Sequence, residues 1–300
     1  MFTRCKSLSL GFVAALLAGS AMASTAVPGT LNYLEGQVTA GGQTLTSKSA
    51  GSAQVGQNQV LQTSQGRAEM LLTPGAFLRL GENSAVRMVS PNLMDTRVEV
   101  LRGEAMVEVA QLFKENQVRV QMDGASTTLT KAGLYAFNAD RGLVSVFDGK
   151  AEVTRDDQQV ELKKGRDVSV QGPLKAEKFD RDAAHDSLYA WSSLRSKYEA
   201  QASMQSAQMY VGGGPGWYGP GWYWNPWWDM YGFVPGAGIA YSPFGRPFYS
   251  PIVVYRVPVF RRPVVAPGVT PRTGIVSPAP AMRSGNFSRS VPMGRTGARR

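Results

Sequence analysis

Residues 98–107 read VEVLRGEAMV and residues 144–153 read VSVFDGKAEV, so two segments of this chain are near-copies of one another. In each copy, residues that favour β-structure alternate with polar residues, meet a glycine at a polar corner, and then alternate again. Two short strands joined by a tight glycine turn have this pattern. A shorter version, YLEGQV, lies at 33–38. The sequence therefore predicts a β-fold with glycine-cornered hairpins and with the flanking valines in the core.

The same alternation continues from about residue 31 to residue 171. Short apolar and polar runs are separated by glycine or polar residues about every 8 to 12 positions, as in β-sandwiches, barrels and solenoids. Thr73-Pro74-Gly75 and Gly81-Glu82-Asn83-Ser84 are predicted turns, since proline restricts φ while glycine and asparagine tolerate positive φ. About 140 residues can bury one core without covalent links. We expect an all-β domain over residues 24–175, a sandwich or solenoid of short antiparallel strands.

The first 23 residues have the features of a secretory signal peptide. Arg4 and Lys6 precede an apolar run at 8–18, and the small-residue site Ala21-Met22-Ala23 follows it. The run is shorter than the roughly 18 apolar residues that a membrane span needs. We therefore expect export to the periplasm or beyond, a mature chain that begins at Ser24, and no transmembrane segment after cleavage. Cys5 is the only cysteine, so the mature protein has no disulfide.

A change of period marks residues 176–210. Leu188, Trp191, Leu194 or Arg195, and Tyr198 follow helical spacing, which predicts an amphipathic helix with Asp180 or Asp182 as its N-cap. Such a helix packs against its own domain or against a partner, and we favour the first alternative.

Residues 211–300 are low in complexity and strongly basic. The stretch from Met209 to the end contains ten arginines, no lysine and one acidic residue, which accounts for +9 of the net charge of +10. Five of the six tryptophans lie in its first part, among dense glycine and proline. Such a composition predicts a tail that is disordered or only locally ordered.

The sequence offers little material for catalysis. The single histidine, His185, has acidic neighbours on a predicted exposed helix face, and a solvated surface role explains it better than a Ser-His-Asp site. Zinc and copper sites need several His or Cys ligands. Asp156-Asp157 fits a hairpin turn better than a calcium loop. Glu99, Glu104 and Glu108 alternate on strands and are predicted to face solvent. We expect no catalytic site, no metal and no cofactor.

The aromatic and basic tail holds the candidate interaction residues. Tryptophan faces stack on sugar rings, and arginines pair with the phosphates or carboxylates of an anionic polymer. The alternative is that residues 217–231 fold back and cover apolar surface on the β-domain. The candidate residues are Trp217, Trp222, Trp224, Trp227 and Trp228 for stacking, and Arg261 and Arg262 for charge contacts.

The β-region resembles the FecR domain, an exported all-β module, over residues 31–171. The resemblance rests on the order and spacing of LEGQV at 34–38, AEMLLTPGAFLRL at 68–80, LRGEA at 101–105, VSVFDGKAEV at 144–153 and LKKG at 162–165. An Asp-Gly turn is usual in the family where this chain has Thr73-Pro74-Gly75. The best-known members are membrane-spanning regulators that receive a signal from an outer-membrane transporter and control a sigma factor through a cytoplasmic segment. This sequence shows neither that segment nor its membrane helix, so the resemblance implies the fold and the exported location.

Three functions remain open on these grounds. The first is a non-enzymatic, exported interaction or scaffold protein whose tail contacts an envelope protein or glycan, with nucleic acid not expected as a partner. The second is a periplasmic signalling or regulatory module that docks on a transporter or a sigma-factor regulator. The third, an enzyme acting on envelope polymer, requires a cleft lined by acidic residues. We favour the first.

Overall fold

A computed structural model describes residues 26–211 and 216–254 of the protein. The predicted signal peptide at 1–23 lies outside these residues, as do Arg261 and Arg262. In the described ranges, no helix has the length and apolar character needed to cross a bilayer.

The described residues form strands, one helix and a 3-10 turn at Ser47–Ser49. The helix is α1 (Ser187–Met209). The strands are β1 (Leu31–Ala40), β2 (Gln43–Leu45), β3 (Val60–Thr73), β4 (Ala76–Leu80), β5 (Ala85–Asn92), β6 (Asp95–Arg102), β7 (Glu104–Val109), β8 (Gln117–Met122), β9 (Ala125–Leu129), β10 (Gly133–Asn138), β11 (Leu143–Asp148), β12 (Lys150–Arg155), β13 (Gln158–Lys163), β14 (Arg166–Ser169), β15 (Glu177–Lys178), β16 (Gly221–Asn225), β17 (Met230–Val234), β18 (Ile239–Tyr241) and β19 (Pro247–Tyr249).

The first fifteen strands make one sheet that curls around a core. Its order is β13-β12-β9-β8-β6-β5-β3-β4-β7-β10-β11-β14-β15; in addition, β1 pairs with β3, and β2 pairs with β1. The long strand β3 pairs with β5 through its first residues and with β4 through its last. It therefore joins two halves of the sheet, one that contains β5, β6, β8, β9, β12 and β13 and one that contains β4, β7, β10, β11, β14 and β15. Inward residues from both halves share one cluster, for example Val98 and Val120 with Val107 and Val146. The predicted all-β fold is confirmed.

The glycine corners differ from the sequence prediction. Strands β6 and β7 flank Gly103, yet β6 pairs with β5 and β8 while β7 pairs with β4 and β10. Likewise β11 and β12 flank Gly149 without pairing. The prediction of hairpins at these two repeats is wrong, because each glycine carries the chain from one half of the sheet to the other. The chain therefore winds around the core, and β8 returns beside β6 in parallel.

Both corners require glycine for steric reasons. Gly103 and Gly149 have φ of +72° and +95°, which L-residues rarely adopt. A Cβ atom on Gly103 would lie 2.2 Å from Ser84 Oγ, and one on Gly149 would lie 2.4 Å from Tyr135 Oη. The glycine at the centre of each repeat thus permits the sharp change of direction. The valines on either side of it fill the core.

Helix α1 begins later than predicted. Its N-cap is Asp186, whose Oδ1 accepts a hydrogen bond from the Tyr189 backbone N–H at 2.7 Å. Asp180, one of the two predicted caps, instead accepts hydrogen bonds from the N–H groups of Asp182 and Ala183 in a turn before the helix. Leu188, Trp191 and Arg195 face the domain, whereas Leu194 is exposed. Serines and alanines make up most of the rest of the buried face, so that face is less apolar than the helical spacing predicts.

The first part of the predicted tail is ordered. Residues 216–254 contain two hairpins, β16–β17 and β18–β19, which lie beside α1 on the outer face of the sheet. Phe233, Phe248 and Trp222 pack there with Leu71 and Phe77 of β3 and β4. Burial of these aromatic side chains compensates for the ordering of a glycine-rich and proline-rich chain. Residues 255–300 lie outside the described residues.

Candidate functional site

Charged side chains cluster where the outer face of the sheet is covered by α1. Alternation along β3, β4 and β7 points Ala68, Met70 and Leu78 into the core, and it points Glu69, Arg79 and Glu108 to the opposite face. In the register of these strands, Glu69 lies opposite Arg79, and Phe77 lies opposite Glu108. The three charged side chains are therefore neighbours, and each is fully buried.

Arg79 links the two carboxylates of the sheet. Its Nε donates to Glu69 Oε2 at 2.8 Å, and its Nη1 donates to Glu108 Oε2. Desolvation lowers the pKa of the guanidinium, but the two carboxylates outweigh it and raise that pKa above its usual value. Arg79 thus carries its charge in the interior because both neighbours compensate it.

Helix α1 contributes the second half of the cluster. Arg195 Nη2 donates to Glu69 Oε1 at 2.8 Å and lies 3.5 Å from Glu199 Oε1. Ser196 Oγ donates to Glu108 Oε1 at 2.8 Å. We call Glu69, Arg79, Glu108, Arg195 and Glu199 the ion network; each of its side chains is at most 5% exposed.

Asn32 of β1 joins the ion network to the β16–β17 hairpin. Its Nδ2 donates to Glu199 Oε1 at 2.6 Å and to the Tyr231 carbonyl at 3.1 Å, and its Oδ1 accepts from Tyr231 N–H at 2.8 Å. Asn225 of the same hairpin donates to the carbonyl of Ala202 in α1 at 2.9 Å. These bonds connect the sheet, the helix and the hairpin through buried polar groups.

The network holds three carboxyl groups and two guanidinium groups. Burial raises the pKa of Glu199 well above its usual value, with the Glu69 charge and the hydrogen bond to Glu69 adding to the effect. For Glu69, burial opposes ionisation, but Arg195 and Arg79 outweigh it and lower the pKa. Burial and the charge of the neighbouring Glu69 thus favour the protonated form of Glu199. A protonated Glu199 leaves two positive and two negative charges, so the network is neutral.

This protonation predicts a pH dependence of stability that one variant removes. Because the folded pKa of Glu199 is raised, stability falls once the pH rises above the ordinary glutamate range, near 4.5, and continues to fall through the folded pKa. Glu199→Gln mimics the protonated form. We expect its free energy of unfolding to rise, relative to that of the parent chain, by up to about 1.4 kcal/mol per pH unit across this window. Urea unfolding from pH 5 to pH 9 measures the difference, with Glu115→Gln as the exposed control. A difference that is flat with pH would contradict protonation of Glu199.

Most of the tryptophans predicted to stack on a ligand pack against other aromatic side chains of the protein. Trp222 is 8% exposed and packs edge to face on Phe77, with ring centroids 5.0 Å apart. Trp217 stacks on Tyr223 at 5.2 Å, Trp224 packs on Tyr231 at 5.0 Å, and Trp228 lies 5.8 Å from Tyr198. Trp227 is the exposed member of the set at 57%. The structure therefore places four candidates in contact with the sheet, with α1 or with the hairpin itself, and leaves one facing solvent.

The acidic candidates have different environments. Glu108 is fully buried in the ion network, so its predicted solvent-facing position is wrong; the cause is the covering helix, which the local alternation does not reveal. Glu99 is partly exposed and pairs with Arg87 at 2.9 Å, while Glu104 accepts a hydrogen bond from Asn138 at 2.6 Å. His185 precedes α1 instead of lying on it, is exposed, and stacks on Tyr189 at 3.8 Å. Asp156 and Asp157 form the turn of the β12–β13 hairpin, as predicted.

The arrangement favours a structural role for the ion network. It is closed to solvent, and most of its donors and acceptors are directed at one another; Arg79 Nη2 and Glu199 Oε2 are the atoms without a hydrogen-bond partner among the described residues. Over the ranges 26–211 and 216–254, no group of three or more His, Cys, Asp or Glu side chains is placed to hold a metal ion. Sequence reasoning missed the network, although one signal existed: Glu69 and Arg79 share their strand faces with Leu71 and Phe77, and such mixed faces indicate a second covered surface.

Comparison with known proteins finds a family model that matches part of this chain. The model of the FecR protein family matches residues 59–152. Two crystal structures of a candidate anti-sigma factor from Parabacteroides distasonis resemble the chain with a TM-score of 0.37, at 19% and 18% identity. The similarity covers 44% and 45% of this chain and 62% and 64% of those chains. The chain therefore spans less than two thirds of the length of these structures. Among curated proteins no match was found.

Proposed function

We propose that this chain, which contains a FecR domain, is a non-enzymatic interaction protein of the cell envelope whose β-domain holds a basic segment against an anionic polymer. The observation that carries the proposal is the separation of charge. Residues 255–300 contain nine arginines and no acidic residue, while residues 24–254 have a net charge of −1. Two of the arginines in the body, Arg79 and Arg195, are neutralised by buried carboxylates. The uncompensated charge is therefore concentrated beyond Val254.

The packing of residues 216–254 supports the proposal that the folded part of the chain carries the basic segment 255–300. The β16–β17 hairpin is hydrogen-bonded to α1 and to β1, and Phe248 of β19 packs on Phe77 of the sheet, so both hairpins are held against α1 and the sheet. Val254 itself is buried beside Ala207 and Val234. Trp227, the exposed tryptophan, is available to stack on a sugar ring, whereas Trp222 and Trp224 are engaged in the fold.

Co-sedimentation of the full mature chain with purified sacculi tests the proposal. We expect the variant with all nine arginines at 255–300 replaced by glutamine to bind at least tenfold more weakly than the parent chain, because the charge attraction is lost. The matched variant with nine lysines keeps the charge and should retain most of the binding, which raised salt weakens. Equal binding by the glutamine variant would overturn the role of this segment. Trp227→Ala measures the aromatic contribution separately.

A second function, regulation through contact with another envelope protein, is favoured by the FecR domain match at 59–152. In this role the β-domain docks on a transporter or on a sigma-factor regulator. Genes for a transporter and a sigma factor beside this one would support it. A binding partner recovered by cross-linking through a photoreactive residue at Met94, which is 59% exposed within the matched residues, would identify the contact, and the absence of such a partner would count against this role.

A further inference from the structure

An open groove of about 700 Å³ borders the β18–β19 hairpin. One wall is formed by Ala237, Ile239 and Ala240, which belong to β18 and the residues before it. The other wall is formed by the connection between β7 and β8 and by the connection between β9 and β10, within 110–116 and 130–132. No residue of β19 lines the groove, so the groove lies on the side of β18 that faces away from its partner strand.

The register of the hairpin shows which backbone groups point to that side. Ser250 N–H donates to the Gly238 carbonyl at 3.0 Å, and Ser242 N–H donates to the Arg246 carbonyl at 2.8 Å. Hydrogen-bonded and non-hydrogen-bonded pairs alternate along an antiparallel ladder. Ile239 and Tyr241 therefore occupy non-hydrogen-bonded pairs, and their N–H and C=O groups point away from β19. Within the described ranges, these four groups have no backbone partner.

The two edges of the hairpin are not equivalent. On β19, the residue opposite Tyr241 is Pro247, which lacks an N–H group, and β19 packs towards α1 and β17. Proline at such a position prevents another strand from pairing with that edge. On β18, Ile239 is 42% exposed and Tyr241 is 59% exposed, so the open edge carries apolar side chains. An unprotected edge of this kind is a template for an additional strand.

The opposite wall adds specific polar groups. Lys114 and Lys131 are exposed, and no carboxylate among the described residues lies within salt-bridge distance of either ammonium group. Gln111 Oε1 is buried and accepts no hydrogen bond from any residue that the structure describes. A buried acceptor without a donor is costly, and a ligand N–H would relieve that cost. Leu112 and Phe113 provide apolar surface between these groups.

We propose that this groove binds an extended acidic segment of a partner protein, which adds a strand to β18. The bound segment pairs with the backbone of Ile239 and Tyr241 and places acidic side chains near Lys114 and Lys131. Main-chain hydrogen bonds supply affinity in this mode of recognition, and alternate side chains supply specificity. A three-residue edge spans about 10 Å, so the contact involves about three to five residues of the partner.

Charge decides between the possible occupants. The chain's own C-terminal segment, 255–300, has nine arginines and no acidic residue, so both lysines would repel it. An acidic segment of another protein has the complementary charge. The proposal does not depend on the interaction of residues 255–300 with a polymer, since it uses a different surface.

The test uses fluorescently labelled peptides and the full mature chain. We expect the peptide EVEVE, capped at both ends, to bind with saturation by fluorescence anisotropy and at least tenfold more tightly than KVKVK. A copy of EVEVE with N-methylated backbone amides at alternate residues should lose at least tenfold in affinity, because it cannot pair with the edge. The double variant Lys114→Glu/Lys131→Glu should reverse the preference, and Trp227→Ala should leave it unchanged.

A backbone variant separates strand addition from simple charge attraction. Tyr241→Pro removes an outward N–H group and leaves the hydrogen bonds of the β18–β19 ladder in place, so the melting temperature should stay close to that of the parent while EVEVE binding falls at least tenfold. Absence of saturable binding, equal affinity for the acidic and basic peptides, or equal affinity for the methylated peptide would each overturn the proposal. A concentration-dependent dimer that Tyr241→Pro abolishes, without peptide binding, would assign the edge to a second copy of the chain instead.

Discussion

Arg79→Met is expected to lower the free energy of unfolding by about 3 to 5 kcal/mol, the usual cost of removing one partner from a buried ion pair. The substitution leaves Glu69 and Glu108 without their shared cation at fully buried positions. Methionine approximates the volume of the arginine stem, and Glu69 keeps its pair with Arg195, so the loss reports the uncompensated Glu108 carboxylate more than a cavity. Urea unfolding followed by tryptophan fluorescence measures the loss.

The matched control is Arg87→Met, which removes an arginine from the partly exposed pair with Glu99 at 2.9 Å. Exposed pairs contribute up to about 1 kcal/mol, since water and salt screen both charges. A loss for Arg79→Met that is no larger than the loss for this control would contradict the role of the ion network in holding α1 on the sheet.

Trp222→Ala is expected to lower the free energy of unfolding by about 3 to 5 kcal/mol, as is usual for truncation of a buried aromatic residue. Trp222 contacts Phe77 of the sheet and Phe233 of the neighbouring strand, with ring centroids 5.0 and 5.9 Å apart. Its loss opens a cavity between the hairpins and the β-domain. We expect proteolysis within 216–254 to accelerate at the same time, because this part of the chain depends on that contact.

Trp227→Ala is the control, since the same residue type lies five positions away and is 57% exposed. We expect a change within about 0.5 kcal/mol, as for most surface substitutions. Equal losses for the two variants would show that the hairpins do not use Trp222 as an anchor. The pair therefore distinguishes tryptophans that hold the fold from the tryptophan that remains free for binding.

The sequence does not show which of the five tryptophans are buried and which is exposed. All five lie in one aromatic stretch rich in glycine and proline, and Trp217 and Trp222 even share the same Gly-Trp-Tyr context. Which of them is buried depends on where Phe77 and Leu71 emerge on the outer face of the sheet, more than 140 residues earlier in the chain. Both alternatives raised for residues 217–231 are consistent with the local composition, and the tertiary contacts place most of this stretch against the domain.

The groove beside β18 could not be predicted from the sequence either. Lys114, Lys131 and Ile239 are unremarkable in the sequence, because exposed lysines and a short apolar run occur in most chains. Their meeting depends on two connections of the β-domain and on a hairpin that follows α1. The open edge of β18 also follows from the register of that hairpin, which Pro247 helps to define by its lack of an N–H group.

The sequence alone determined that the β-domain consists of short strands, the turn at Thr73-Pro74-Gly75, the helical segment and the concentration of positive charge near the C-terminus, because alternation, glycine turns and net charge are local properties of a chain. Only the tertiary structure decided that Gly103 and Gly149 are corners between strands that do not pair. It also decided that Glu108 is buried with Arg79. The physical reason is the same in both cases: a strand pattern with a period of two tells which side chains share a face, but the strand or helix that covers that face is chosen by long-range hydrogen bonding and packing.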